Sequence, residues 1–113
     1  MSIIETKNAE HYKWGKNCDG WFLVNNDNLT IIQERVLSGC SETSHYHQHS
    51  HQFFYILSGI ATIEVDGKIH TLKTQQGIEV KAGQVHQLAN NQATDLVFTV
   101  TSTPPSHGDK INV

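Results

Sequence analysis

The chain has 113 residues, with 8 Lys plus Arg against 11 Asp plus Glu and a formal net charge of −3. That length suits one domain, residues 1–113, with a single core and little stability to spare. The thinly spread basic residues form no stripe for nucleic acid, and no apolar run nears the ~20 residues that cross a bilayer, so neither partner is expected.

In chain order, the start Met1-Ser-Ile-Ile-Glu-Thr-Lys7 lacks the positive-then-apolar pattern of a secretory signal. Cys18 and Cys40 sit in no C-x-x-C spacing, so reduced thiols and a cytoplasmic location are expected. Residues 1–28 are read as an N-terminal strand segment that packs on the barrel or on a partner. Residues 21–24 and 29–37 are β-rich runs separated by Asn25-Asn-Asp-Asn28, a turn composition. Phe53–Leu57 ends at Ser58-Gly59. Ile60–Val65 then alternates and meets Asp66-Gly67, a strong hairpin signal, and Lys68–Leu72 returns. Short runs at 78–80, 85–88 and 95–102 complete the set, and Pro104-Pro105 is expected to end the ladder. Residues 29–102 therefore read as the core of an all-β sandwich or barrel and 103–113 as a tail, whose sequence does not say which end it covers.

Within Phe53–Leu57, alternation puts Gln52, Phe54 and Ile56 on one face and Phe53, Tyr55 and Leu57 on the other. Both faces are apolar. One belongs to the barrel interior, and the other calls for a covering strand, a second sheet or a second subunit; a homodimer is expected.

Four histidines occupy alternate positions, His45, His47, His49 and His51. Imidazole suits zinc, copper, iron and nickel, so the cluster points to a metal. A single straight strand would project all four from one face, yet one strand cannot close a shell around one ion.

The stretch Gly39-x5-His45-x-His47-x4-Gln52-x6-Gly59 resembles the first motif of the cupin superfamily, and Gly83-x2-His86-x3-Asn90 resembles the latter half of the second. The likeness covers residues 39–90. Cys18-Asp-Gly-Trp21 and Ser102–Asp109 are similar to segments of small bacterial cupins. Gln52 stands where the family usually has glutamate, Lys81 where it has proline and Gln75 where it has glycine. The resemblance implies an RmlC-like double-stranded antiparallel β-helix, or jelly-roll barrel, with a metal in its mouth. Carried over residue by residue, His45, His47, Gln52 and His86 would hold the ion, with His51 as the alternative to Gln52. A break after His47 would then turn His49 and His51 out of register.

Glutamine at position 52 makes the donor set all-neutral, so the ion keeps its full charge. Iron, nickel, copper and zinc are then favoured over manganese as the one divalent cofactor. Phe54, Ile56, Val80 and Leu88 are expected to line a substrate pocket. Glu34 reads either as an inward base or as half of a surface ion pair, and His49 is the other weak catalytic candidate. Two readings follow. One is a metalloenzyme acting on a small oxygenated molecule, by dioxygenase-type or isomerase/lyase-type chemistry, with the neutral ligands leaning towards the former. The other is a non-catalytic module for a sugar or other small ligand, favoured by the lack of a convincing base in the sequence.

Overall fold

The computed structural model describes residues 3–113. Every regular element among them is a strand: β1 (Glu10–Trp14), β2 (Cys18–Asn25), β3 (Thr30–Val36), β4 (His45–His47), β5 (His51–Ser58), β6 (Ala61–Val65), β7 (Lys68–Leu72), β8 (Gly77–Val80), β9 (His86–Ala89), β10 (Leu96–Thr103) and β11 (Lys110–Asn112). They form two antiparallel sheets, one in the order β1-β2-β3-β10-β5-β8 and one in the order β11-β4-β9-β6-β7. This is the jelly roll that the motif resemblance implies, and it agrees with the sandwich or barrel read from the strand pattern.

Alternation decides which side chains reach the core. Leu96, Phe98 and Val100 of β10 and Phe54 and Ile56 of β5 are buried from the six-stranded sheet. Ala61, Ile63, Val65, Leu72 and Leu88 are buried from the five-stranded sheet. The Phe54 and Phe98 rings pack with centroids 5.7 Å apart. Each fully buried side chain of this size contributes about 1.5–3 kcal/mol. The β6–β7 hairpin turns on Asp66 and Gly67, both with positive φ (50° and 83°), the conformation a two-residue type I′ turn needs.

One expectation about the ends is corrected. Pro104-Pro105 ends β10, but the ladder does not stop there. The chain turns through residues 106–109 and returns as β11 against β4, because a proline removes only its own donor. At the other end, β1 and β2 form a hairpin that extends the six-stranded sheet beyond β3. They do not cover the Phe53, Tyr55 and Leu57 face, and Phe53 and Leu57 stay 45% and 42% exposed.

The N-terminal hairpin is fastened by Asp19, a buried carboxylate that meets His11 at 2.7 Å, Lys13 at 2.9 Å and the Arg35 guanidinium. Burial alone would raise its pKa. Hydrogen bonds from Lys13, His11 and Arg35 outweigh that and hold the carboxyl well below the usual range. Among the described residues no helix is long and apolar enough to cross a membrane.

Candidate metal centre

The three-residue strand β4 sends His45 and His47 to the same side, and β9 lies beside it with His86 paired directly to His45. All three rings are buried, and one ligand nitrogen from each lies within 4.8 Å of the others. Ring centroids are 4.3 Å apart for His45–His86, 5.0 Å for His45–His47 and 5.5 Å for His47–His86.

Each ring is oriented by a backbone carbonyl at Nδ1: Thr43 at 2.6 Å for His45, Asp109 at 2.8 Å for His47 and Gln84 at 3.0 Å for His86. A carbonyl only accepts, so each Nδ1 carries the hydrogen and each Nε2 keeps its lone pair. Burial pushes the His45 pKa down to about 4 and lowers that of His86. Both rings are therefore neutral and able to donate at pH 7.

Gln52 completes the arrangement from β5. Its Nε2 donates to Ser102 Oγ at 3.0 Å, which leaves Oε1 free. Gln52 Oε1, His47 Nε2 and His86 Nε2 are all buried with no hydrogen-bond partner. Buried polar atoms without partners each cost about 1–3 kcal/mol, a cost that a bound cation would offset. All are lone-pair donors, and the set fits a divalent cation.

The bend after His47 separates the four alternate histidines. Asp109 accepts backbone N–H groups from Gln48, His49 and Ser50, each at 2.9 Å. This turn interrupts the alternation, so Gln52 enters the barrel while His51 lies exposed. His49 is exposed on the turn and does not line the cavity.

Beside the histidines lies a cavity of about 290 Å³. Its wall differs from the one expected. Phe54, Ile56, Val80 and Leu88 are core residues at 3%, 0%, 1% and 0% exposure and do not line it, because inward side chains at those levels meet the facing sheet. Phe54 only lies edge-on to His86, with centroids 6.0 Å apart. The lining includes Tyr12 and Trp14 from β1, Glu34 from β3, Glu42, and His107 and Lys110 from the C-terminal segment.

Glu34 accepts a 3.2 Å hydrogen bond from the Tyr12 hydroxyl, and no ion pair within 4.0 Å involves it among the described residues. The surface ion pair is thus corrected, because β3 turns this side chain into the barrel. Burial, then the neighbouring Glu42, raises its pKa to about 8, while Tyr12 and Lys110 act in the opposite direction. Glu42 is raised by burial to about 7, partly offset by the Leu88 N–H that its Oε1 accepts at 3.1 Å. Tyr12 reaches Glu34 because Gly20 has no side chain: a Cβ there would clash with the hydroxyl end of the Tyr12 ring, at its Cζ.

Glu42, Tyr12, Asp109 and Lys110 escaped sequence reasoning. Glu42 sits in an irregular segment where alternation gives no direction, and the other three depend on the β1–β2 hairpin and on β11.

The chain belongs to the cupin family: the model of the cupin domain matches residues 33–102. It is 30% identical over 69 residues to the tetracenomycin polyketide synthase protein TcmJ of Streptomyces glaucescens, covering 59% of this chain and 46% of that protein. The chain thus spans under half the length of the curated relatives it matches. Among solved structures it is similar to KdgF from Halomonas, with a TM-score of 0.83 at 14% identity over 91% of this chain and 94% of that one. TT1209 from Thermus thermophilus gives a TM-score of 0.81 at 19% identity over 93% and 99%. These two likenesses speak to the fold.

Asp109 both orients His47 and holds the turn that aims Gln52. Its replacement by alanine is expected to weaken zinc affinity about 10–100-fold, read by competition against a chromogenic chelator. Alanine keeps the backbone carbonyl that orients His47, so unchanged affinity would mean that the carboxylate clasp on residues 48–50 is not needed to aim the ligands.

Proposed function

We propose that this cupin holds one divalent transition metal with His45, His47, His86 and Gln52, and uses Glu34 to move a proton on a small oxygenated substrate. The observation that carries this reading is a carboxyl with a raised pKa inside the same cavity as the histidines. A base was the one feature whose lack favoured a binding module. Its presence turns the choice towards isomerase- or lyase-type chemistry and away from the oxygenase lean of the ligand set.

The ion, when bound, would polarise a carbonyl or hydroxyl oxygen of the substrate and make the adjoining C–H acidic. The chain's own groups do the rest. Glu34 as carboxylate takes that proton, and its carboxyl returns the proton to another carbon or to oxygen. Tyr12 holds the Glu34 side chain in the cavity. Iron, nickel, copper and zinc suit the neutral donors better than manganese.

The test is proton exchange into deuterated water, followed by NMR for a panel of hydroxy-carbonyl compounds on metal-loaded protein. Glu34→Gln is expected to lower the rate about 10²–10⁴-fold with metal content unchanged, and His49→Ala to leave it intact. The rate should rise with pH as Glu34 ionises, at or below pH 8 because a bound cation pulls the carboxyl down from about 8, and Glu34→Gln should lack that limb. Equal turnover in Glu34→Gln, or no turnover in the parent, would leave the binding-module reading standing.

The same proposal includes a homodimer formed through the outer face of the six-stranded sheet. Phe53 and Tyr55 stack there with centroids 6.2 Å apart, beside the exposed Leu57. An aromatic cluster open to water supports a partner surface. Light scattering on a sizing column should give twice the 12.7 kDa chain mass, and Phe53→Glu should give the chain mass alone. A parent protein that runs as a monomer would reject the dimer.

A further inference from the structure

Lys110 opens β11 and pairs directly with His47 on β4. Paired residues of antiparallel strands send their side chains to the same face, and Lys110 accordingly lines the cavity that His45 and His47 also line. Glu34 and Glu42 share this cavity, yet no carboxylate oxygen lies within 4.0 Å of Lys110 among the described residues. Its charge instead acts across the space, lowering the pKa of Glu34, Glu42, His45 and His86 alike.

A charge count gives this placement its meaning. Four neutral donors leave a divalent ion with two positive charges, and Lys110 adds a third. Ionising both glutamates would remove two, so the loaded cavity stays positive in every protonation state of its carboxyls. Lys110 is itself exposed, so water screens its charge, and an anion bound between it and the ion would be attracted by both. Among the described residues Lys110 is the sole lysine or arginine in the lining, which suits one carboxylate and not a phosphate, whose oxygens call for several donors. At about 290 Å³ the space falls at the small end of ligand pockets, and Tyr12, Trp14 and His107 give it aromatic walls.

We infer that Lys110 is a specificity-determining residue, and that the cavity takes a small hydroxy- or oxo-acid whose carboxylate meets Lys110 while its second oxygen faces the histidines. This rests on the metal-centre reading above and adds the substrate class to it.

The experiment uses the full chain loaded with cobalt, whose visible absorption reports on its own ligands. The probes are two pairs, mandelate with 1-phenylethane-1,2-diol and lactate with propane-1,2-diol, each pair differing in the carboxylate. Each acid is expected to bind at least about tenfold more tightly than its diol. Lys110→Gln and Lys110→Met should erase that preference while keeping the cobalt spectrum of the parent, and Lys110→Arg should retain it. The inference is overturned if acids and diols bind alike, if none binds, or if the preference survives both neutral substitutions. Failure of the chain to take up cobalt is a separate result that overturns the metal reading and this inference together. Failure of the proton-exchange test with the acid preference intact would remove Glu34 as a base and leave Lys110 in place.

Discussion

Asp109 gathers three consecutive backbone N–H groups with its carboxylate, and its own carbonyl accepts the Nδ1 hydrogen of His47. Much of the site follows from this clasp. The turn that it holds breaks the two-residue period after His47, so Gln52 faces in and His51 faces out. The clasp also fixes where the chain re-enters the sheet as β11, which puts Lys110 opposite His47 and brings residues 106–108 to the cavity. Hydrogen bonds from the three amides hold the carboxylate in its charged form against a smaller burial effect than theirs combined, and its pKa is lowered accordingly.

The histidine cluster works against the fold that supports it. His47 Nε2, His86 Nε2 and Gln52 Oε1 are buried without hydrogen-bond partners, at a cost of about 1–3 kcal/mol each. A ligand that binds these atoms in the folded state would offset that cost and raise stability by mass action. Glu34 adds to the cost. A carboxyl raised from 4.5 to about 8 contributes nothing unfavourable below pH 4.5 and destabilises progressively as pH climbs from there towards 8. Asp19 has the opposite sign: its lowered pKa gives stability that is present above the ordinary carboxylate range and lost only in strong acid. The N-terminal hairpin thus stays fastened over the pH range in which the cavity groups titrate, which keeps Tyr12 on Glu34.

Much of the architecture was legible because it rests on local rules. The Asp66-Gly67 hairpin, the alternation through Phe53–Leu57 and the two glycine-and-histidine stretches each state their own geometry. The three histidines meet where those stretches suggest. What the sequence hid depends on pairings between distant segments. Pro104-Pro105 looked like the end of the sheet, so nothing pointed to Lys110 beside His47. Glu34 was ambiguous because both a surface ion pair and an inward base satisfy alternation, and only the β2–β3–β10 packing settles its face. The pocket list failed for a related reason: inward residues such as Ile56 and Leu88 are fully consumed by the core, while the cavity is walled by the two chain ends.

The central claim, that the buried histidines hold a metal inside the barrel, is tested most directly by metal content on untagged protein, with His86→Ala measured beside it by plasma mass spectrometry. His86 is remote in sequence from the exposed His49 and His51, so it separates the barrel site from loose surface chelation. The account predicts about one transition metal per chain in the parent and none in the variant. Metal that persists in His86→Ala, or a parent that stays empty after reconstitution, would contradict it.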